Sequence, residues 1–369
     1  MLFYLDYLNI WFVMLLLILL PVNVHICIYE SKLKIYNYVL IGLYVALAVC
    51  FVIINLVMFF LLFELMVILL FLLLYSFILS YYRIRSSYWF FIYSLVGSFS
   101  MVIGIIYILF GYDSFILLFL FVLFLIKLPS FPFNFWLVEV HSEANTSLSL
   151  ILAALLLKLG VFGLLKYCFN SLTAVLLSFS LVGLIIFVLS VVVLVFYNLR
   201  LFDVKKIIAL SSIIHLNFSL IGLFSLSLLS YFLLIINSVA HGFSSFLMFM
   251  LFGFIIYKSY TRFIDSLYFL SYTFRTLVFM SFLINISFPL SFNFIIELFT
   301  LIILVGISLL FVLSFAIVSF VSLFFYFLIY NRFFMYSFGM LYLSFVEFVY
   351  TVFILFINVF YGVYFLLLV

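Results

Sequence analysis

Apolar runs of about 20 residues, each separated from the next by a few polar positions, recur from one end of this 369-residue chain to the other. A run of that length is what a helix needs to cross about 30 Å of hydrocarbon. With 72% hydrophobic and 7% charged residues, the chain lacks the polar surface that a water-soluble fold requires. The bilayer is therefore its solvent, and the fold class is an all-α polytopic membrane protein. Twelve spans are predicted, at roughly 8–28, 36–54, 56–81, 87–110, 114–141 (broken), 145–168, 171–198, 204–225, 228–257, 267–302 (broken), 304–330 and 335–367.

The count is tested by threading the chain back and forth and noting where each cation falls. Lys32, Lys34, Arg83, Arg85, Arg200, Lys205, Lys206, Lys258, Arg262, Arg275 and Arg332 collect on one side. The other side holds Lys166, while Lys127 and Lys158 lie at membrane depth. This asymmetry follows the positive-inside rule, so the basic side faces cytoplasm or matrix, and an even span number puts both termini on the opposite side. The net charge of +4 reflects this topology rather than an affinity for nucleic acid. Leu8–Ile28 is too long for a signal segment and has no basic leader before it, so it reads as a retained membrane helix. Cys27, Cys50 and Cys168 stand singly in apolar surroundings and read as packing; no metal-ligand, nucleophile or phosphate-loop pattern is present.

Two spans contain proline. Pro129 and Pro132 follow Lys127, and Pro289 precedes Glu297 by about two turns. Interrupted helices at corresponding places in two halves point to two inverted-topology five-helix repeats, here residues 36–168 and 169–330, with flanking segments 1–35 and 331–369. On the prolines alone, ordinary tolerated kinks remain an equal reading.

Four charged residues interrupt apolar sequence: Glu64 in FFLLFELMVILL, Lys127 in VLFLIKLPSF, Lys158 in LAALLLKLGVF and Glu297 in FNFIIELFTL. Each costs at least about 2.5–3.5 kcal/mol at the bilayer centre, so each requires a reason. Static ion pairs between helices are one reason, and snorkelling of Lys127 to an interface is another. The reading preferred here is proton carriage: a buried ammonium or carboxylate changes its hold on a proton when an opposite charge moves toward or away from it. Ser211, His215 and Ser219 make one stripe on their helix, and Ser238, His241 and Ser245 another, each suited to holding water beside a group that titrates near neutrality. Hydrogen bonding across a helix interface is the alternative for both histidines. Glu347 reads as an interfacial charge in preference to a proton exit, Asp203 as a helix N-cap, and His141 as part of the polar loop VEVHSEANTS.

At these residues a family resemblance emerges. Lys127–Tyr167, KLPSFPFNFWLVEVHSEANTSLSLILAALLLKLGVFGLLKY, resembles the signature of subunit 4 of NADH:ubiquinone oxidoreductase (complex I) and its bacterial counterpart. Asp203–Gly222, Val239–Phe249 and Pro289–Phe299 resemble the family's next three motifs in order, as do the stretches around Glu64 and Tyr93 upstream. The resemblance implies a broken-helix antiporter-like fold in the membrane arm, as a subunit of an H+-translocating NADH:ubiquinone reductase with no redox catalysis on this chain. It implies Glu64 and Lys127 as a coupling pair, Lys158 as central proton carrier, His215 and His241 as relays and Glu297 as distal group. It implies no cofactor here, with NADH, FMN, iron–sulfur clusters and ubiquinone on partner subunits, and a hetero-oligomer with other membrane-arm subunits and lipids. The family usually has about two further N-terminal helices, which leaves contacts on that side open. The excess of Phe, Leu and Tyr is what a thymine-rich organellar genome encodes, so the mitochondrial inner membrane is the expected location. The nearest rival is a subunit of a multisubunit cation/proton antiporter, which shares the fold and the buried charges; a scaffold that has lost transport is a rival of another class.

Overall fold

The computed structural model describes residues 6–30, 34–75, 80–109, 122–130, 132–168, 188–223, 228–264, 271–307, 309–334 and 342–368. These are almost entirely helical; an isolated antiparallel bridge pairs Asp203 with Phe263. The chain divides into two compact units, Met1–Gly183 and Leu184–Val369.

The first unit comprises α1 (Tyr7–Glu30), α2 (Lys34–Val52), α3 (Leu56–Tyr75), α4 (Tyr81–Leu109), the short α5 (residues 122–127) and α6 (Phe135–Glu143). Its last described element is one continuous helix in which α7 (Thr146–Ile151) and α8 (Leu157–Gly163) are joined by a π turn, Leu152–Leu156, and followed by a second, Leu164–Cys168. Successive helices α1 to α4 pack side by side, and α7 packs on α1. All are apolar around their circumference, so burial distinguishes core from lipid face. In the Thr146–Tyr167 span 94% of the most apolar window is buried, against 33% in α3 and α4. The π-interrupted helix is the centre of the unit.

Between α5 and α6 the helix breaks at Pro129, whose missing N–H deprives the Leu125 carbonyl of its helical donor. The Ser130 amide and hydroxyl both turn back to that carbonyl, at 3.2 and 3.1 Å. The Ile126 carbonyl, next in line, accepts instead from the indole Nε1 of Trp136 at 3.1 Å, a side chain beyond the break repairing the backbone before it. Two glycines bring the central helix close. A Cβ on Gly160 would lie 2.9 Å from Leu128 Cγ, and one on Gly163 would lie 2.2 Å from the Phe124 ring.

The second unit comprises α9 (Val188–Asn198), α10 (Val204–Leu223), α11 (Leu228–Ser259), α12 (Tyr272–Asn285), α13 (Phe292–Ile307), α14 (Leu309–Phe334) and α15 (Phe345–Leu368). Its centre is α11, 94% buried in its most apolar window and packed on α10, α12, α13 and α15. The predicted cap is present: Asp203 Oδ1 accepts from the Lys205 amide at 3.1 Å, and Oδ2 pairs with Arg262 Nε at 3.1 Å. In the last turn of α11, Lys258 forms an ion pair with Glu347, which also accepts from the Ser344 amide at 2.8 Å while Ser344 Oγ accepts from the Glu347 amide at 3.3 Å. Ser344 and Glu347 are thus a capping box opening α15.

The break between α12 and α13 is a Schellman turn. Phe288 N–H bonds to the Leu283 carbonyl at 3.0 Å and Ser287 N–H to the Ile284 carbonyl at 3.2 Å, with Ser287 at φ 64°. Leu290, after Pro289, also has positive φ, 80°. The Asn293 side-chain amide reaches back across the gap to the Ile284 carbonyl at 3.3 Å and to Ser244 Oγ at 3.2 Å. Gly362 of α15 lies against this turn: a Cβ there would stand 2.3 Å from the Leu290 carbonyl oxygen.

Among the described residues eight helices are long and apolar enough to cross a membrane, with three shorter apolar ones, Val188–Asn198, Phe292–Gly306 and Phe315–Asn331. Each predicted span that falls on described residues coincides with helix, and both predicted breaks are breaks. α4 begins at Tyr81 rather than 87 and α15 at Phe345 rather than 335. The predicted span 171–198 is described only from Val188, and the predicted repeat boundary near 168 adjoins residues 169–187, which lie outside the described residues. The polar stretch around His141 is a correction: it is helix through Glu143, with the turn confined to Ala144 and Asn145. Its polar residues mark burial rather than a surface loop, since His141 is 0% and Ser142 3% exposed.

Because backbone atoms cannot yield as a flexible side chain can, Gly362→Ala is expected to destabilise the second unit by about 1–3 kcal/mol, the usual range for overpacking. Thermal unfolding of the detergent-solubilised chain checks this; an unchanged midpoint means that α15 does not approach the turn this closely.

Candidate functional site

In the first unit, Glu64 projects from α3 and Lys127 is the last residue of α5. Lys127 is 7% exposed, and its ammonium lies 4.2 Å from the centroid of the Phe63 ring, the residue preceding Glu64. The Lys127 ammonium and the Glu64 carboxyl interact electrostatically. Among the described residues, however, no ion pair within 4.0 Å joins them, and Glu64 Oε1 is buried without a hydrogen-bond partner. A pair within electrostatic reach but not closed can be strengthened or weakened by moving either side chain. Lys127 is deep in protein, which removes snorkelling as its explanation.

Lys158 is fully buried on α8. Its Nζ donates to the Ala153 carbonyl at 2.6 Å. Ala153 belongs to the π turn, where the Leu157 amide returns to the Leu152 carbonyl five residues back. Such a turn takes carbonyls out of the usual four-residue ladder, and here one is offered to the ammonium. Among the described residues Lys158 has no carboxylate within ion-pair distance, so a static salt bridge does not account for its burial. Gly160, one half turn on, seats this helix on Leu128 beside Lys127.

In the second unit, α10 presents His215 and α13 presents Glu297, with His215 Nδ1 and Glu297 Oε1 3.0 Å apart. Either partner can hold the shared proton, imidazolium against carboxylate or imidazole against carboxylic acid. The ring of His241, from α11, stacks on that of His215 with centroids 5.6 Å apart and planes at 28°. Three of the predicted residues are therefore contiguous. A cavity of about 30 Å³ for the centres of water molecules opens beside His215 and Glu297, enough for one or two waters. Ser211, Asn198, Ser322 and Tyr326 line it as well.

The two serine stripes behave differently from expectation. Ser211 reaches the cavity, but Ser211, Ser219, Ser238 and Ser245 each donate their hydroxyl to a carbonyl three residues back on their own helix, at 2.7, 2.7, 2.6 and 3.2 Å. Their oxygens can accept a bond but their protons are engaged. The polar continuation comes from residues the sequence reading missed: Asn285 Nδ2 donates to Tyr326 Oη at 2.8 Å and to Ser211 Oγ at 3.3 Å. A signal was present, since Asn285 is an amide at the last helical position before the Pro289 break. Tyr326 gave none, being one tyrosine among 27. Glu347, engaged by Lys258 and the α15 cap, is accounted for structurally.

A double-mutant cycle of His215→Asn and Glu297→Gln is expected to return a coupling of about 0.5–3 kcal/mol, as for residues in direct contact. Additive effects on unfolding would mean that the 3.0 Å contact contributes nothing.

A family described as NADH:quinone oxidoreductase/Mrp antiporter, TM, matches residues 54–325. NADH-ubiquinone oxidoreductase chain 4 of Chondrus crispus is 36% identical over 198 residues, 48% of this chain and 39% of that protein. The same-named chain of Wickerhamomyces canadensis is 29% identical over 335 residues, 79% of this chain and 66% of that protein. The chain thus matches between 39% and 66% of the length of these two relatives. Two solved structures share the fold: a chain of respiratory complex I from Thermus thermophilus with bound NADH, TM-score 0.86 at 21% identity over 98% of this chain and 82% of that one, and one of the membrane-bound sulfane sulfur reductase, an archaeal respiratory membrane complex, 0.84 at 16% over 98% and 80%. With both helix breaks and the buried charges in place, the chain belongs to the NADH:quinone oxidoreductase/Mrp antiporter family of polytopic membrane proteins.

Proposed function

We propose that this chain is the antiporter-like subunit 4 of the membrane arm of respiratory complex I, moving protons across the mitochondrial inner membrane while NADH:ubiquinone electron transfer takes place on partner subunits. The observation that carries the proposal is Lys158, a fully buried ammonium held by a π-turn carbonyl in place of a carboxylate. A group of that kind is costly to insert and is tolerated where it works. In this reading Glu64 and Lys127 are the coupling pair, because a partly open pair is the element that a conformational change can close or separate. Lys158 holds and releases the transported proton, His215 and His241 relay it, and Glu297 receives it at the hydrogen bond to His215. The two breaks are the corresponding elements of two inverted repeats, and both termini lie on the intermembrane-space side. The names of the relatives, all chain 4 of NADH-ubiquinone oxidoreductase, support the assignment to subunit 4.

A second reading, a subunit of a multisubunit cation/proton antiporter, draws support from the family description, which spans both kinds. Native electrophoresis of gently solubilised membranes separates them. Co-migration with NADH dehydrogenase activity is expected; migration apart from it favours the antiporter. Within the assembly, Lys158→Met and Glu297→Gln are each expected to lower proton transport at least tenfold, since they remove the charge while keeping volume, whereas Glu297→Asp retains part of it. Undiminished transport in Lys158→Met vesicles would remove Lys158 from the mechanism.

A further inference from the structure

The second unit carries a groove of about 340 Å³ away from the buried charges. One end is formed by Leu199, Leu201 and Phe202, in the connection between α9 and α10, together with Ile264 beyond the end of α11. From there it follows α14 from Ile329 to Phe320, nine residues or about 14 Å of helix, close to the hydrocarbon depth of one leaflet. Its walls are apolar and open: Phe202 is 53%, Phe324 54% and Phe320 70% exposed. Arg200 stands at the loop end between two lining residues, exposed, and among the described residues its guanidinium makes no hydrogen bond or ion pair. The neighbouring Arg262 is engaged by Asp203. Among the described residues, Arg200 is thus a cation without a side-chain partner, flanked by two lining residues at one end of the groove, and a hydrocarbon-lined channel runs along α14 from that end.

We infer that this groove is a binding site for an anionic phospholipid, with the phosphate on the Arg200 guanidinium and one acyl chain laid along α14 between Phe202, Phe324 and Ile329. Arginine suits a phosphate because its planar fork donates two parallel hydrogen bonds to two of its oxygens. A transmembrane helix of a neighbouring subunit, the other candidate occupant, would leave that guanidinium without an anion, so charge complementarity selects the lipid. The position on the basic side also agrees with the leaflet in which anionic headgroups meet Lys and Arg.

Native mass spectrometry of the full-length chain in mild detergent, titrated with phosphatidylglycerol and phosphatidylcholine of identical acyl chains, tests the inference. The tightest-held lipid is expected to favour phosphatidylglycerol by about fivefold, the effect of one basic side chain near a headgroup. Arg200→Gln should abolish the preference without loss of folding, because among the described residues the Arg200 guanidinium has no partner; Arg200→Lys should retain part of it. Val321→Trp, which narrows the groove, should weaken both lipids. An unchanged preference in Arg200→Gln overturns the site. So does a photoreactive residue at Phe324 that captures a polypeptide rather than lipid in native membranes, an outcome that requires no change at Arg200.

Discussion

A carbonyl or amide in hydrocarbon has no water to turn to, and the rest of this structure depends on that constraint. Continuous helices meet it automatically, and most of the chain consists of them. The two places where the helix stops are the places where the protein has to supply partners by other means. Before Pro129 a serine doubles back and a tryptophan indole reaches across the gap; at Pro289 a Schellman turn closes one helix while the Asn293 amide spans to the Ile284 carbonyl. In the first repair both donors, Ser130 and Trp136, come from after Pro129, and in the second the Asn293 amide comes from beyond the turn; in both cases the donor lies within about ten residues. Each break is thus a locally self-sufficient structure that leaves neighbouring side chains free for chemistry.

The same principle underlies the Lys158 site. There the helix does not stop but widens by a residue, and the Ala153 carbonyl in the widened turn receives an ammonium. A carbonyl dipole is a weaker partner than a carboxylate, so the proton on Lys158 is held without being locked into an ion pair. The His215 and Glu297 contact is the opposite arrangement, a hydrogen bond of ordinary length between two groups that can both bind a proton. A donor on a carbonyl and a hydrogen-bonded pair that can exchange a proton are two kinds of station for transfer, and within its own unit each break is fixed by packing: glycines on α8 in one, α15 in the other.

Much of the fold was legible in the sequence because hydrocarbon thickness sets a length and proline sets a stop. Spans, breaks and the four embedded charges all follow from these two rules, and Asp203 announced its cap by position alone. What escaped was of a different nature. The stretch around His141 is as polar as a loop, and only its burial within the unit identifies it as helix. The serine stripes had the spacing of a water-lined face, but a serine in a helix is free to satisfy its own backbone, and here each does. Asn285 and Tyr326 were not recognised because their importance arises from a contact between α12 and α14, and periodicity along one helix does not encode proximity between two.

Gly362 carries a consequence for biogenesis. The Leu290 carbonyl and the backbone of Ser291 and Phe292 lie directly under a glycine some seventy residues later in the chain. Until α15 packs, the turn keeps its own hydrogen bonds but lacks the helix that covers this side of it. The second unit therefore does not complete its packing in the order of its sequence: the break near its middle is covered by a helix from its end. A membrane protein of this design has a vulnerable interval in its assembly, and its length is set by the chain between Pro289 and Gly362.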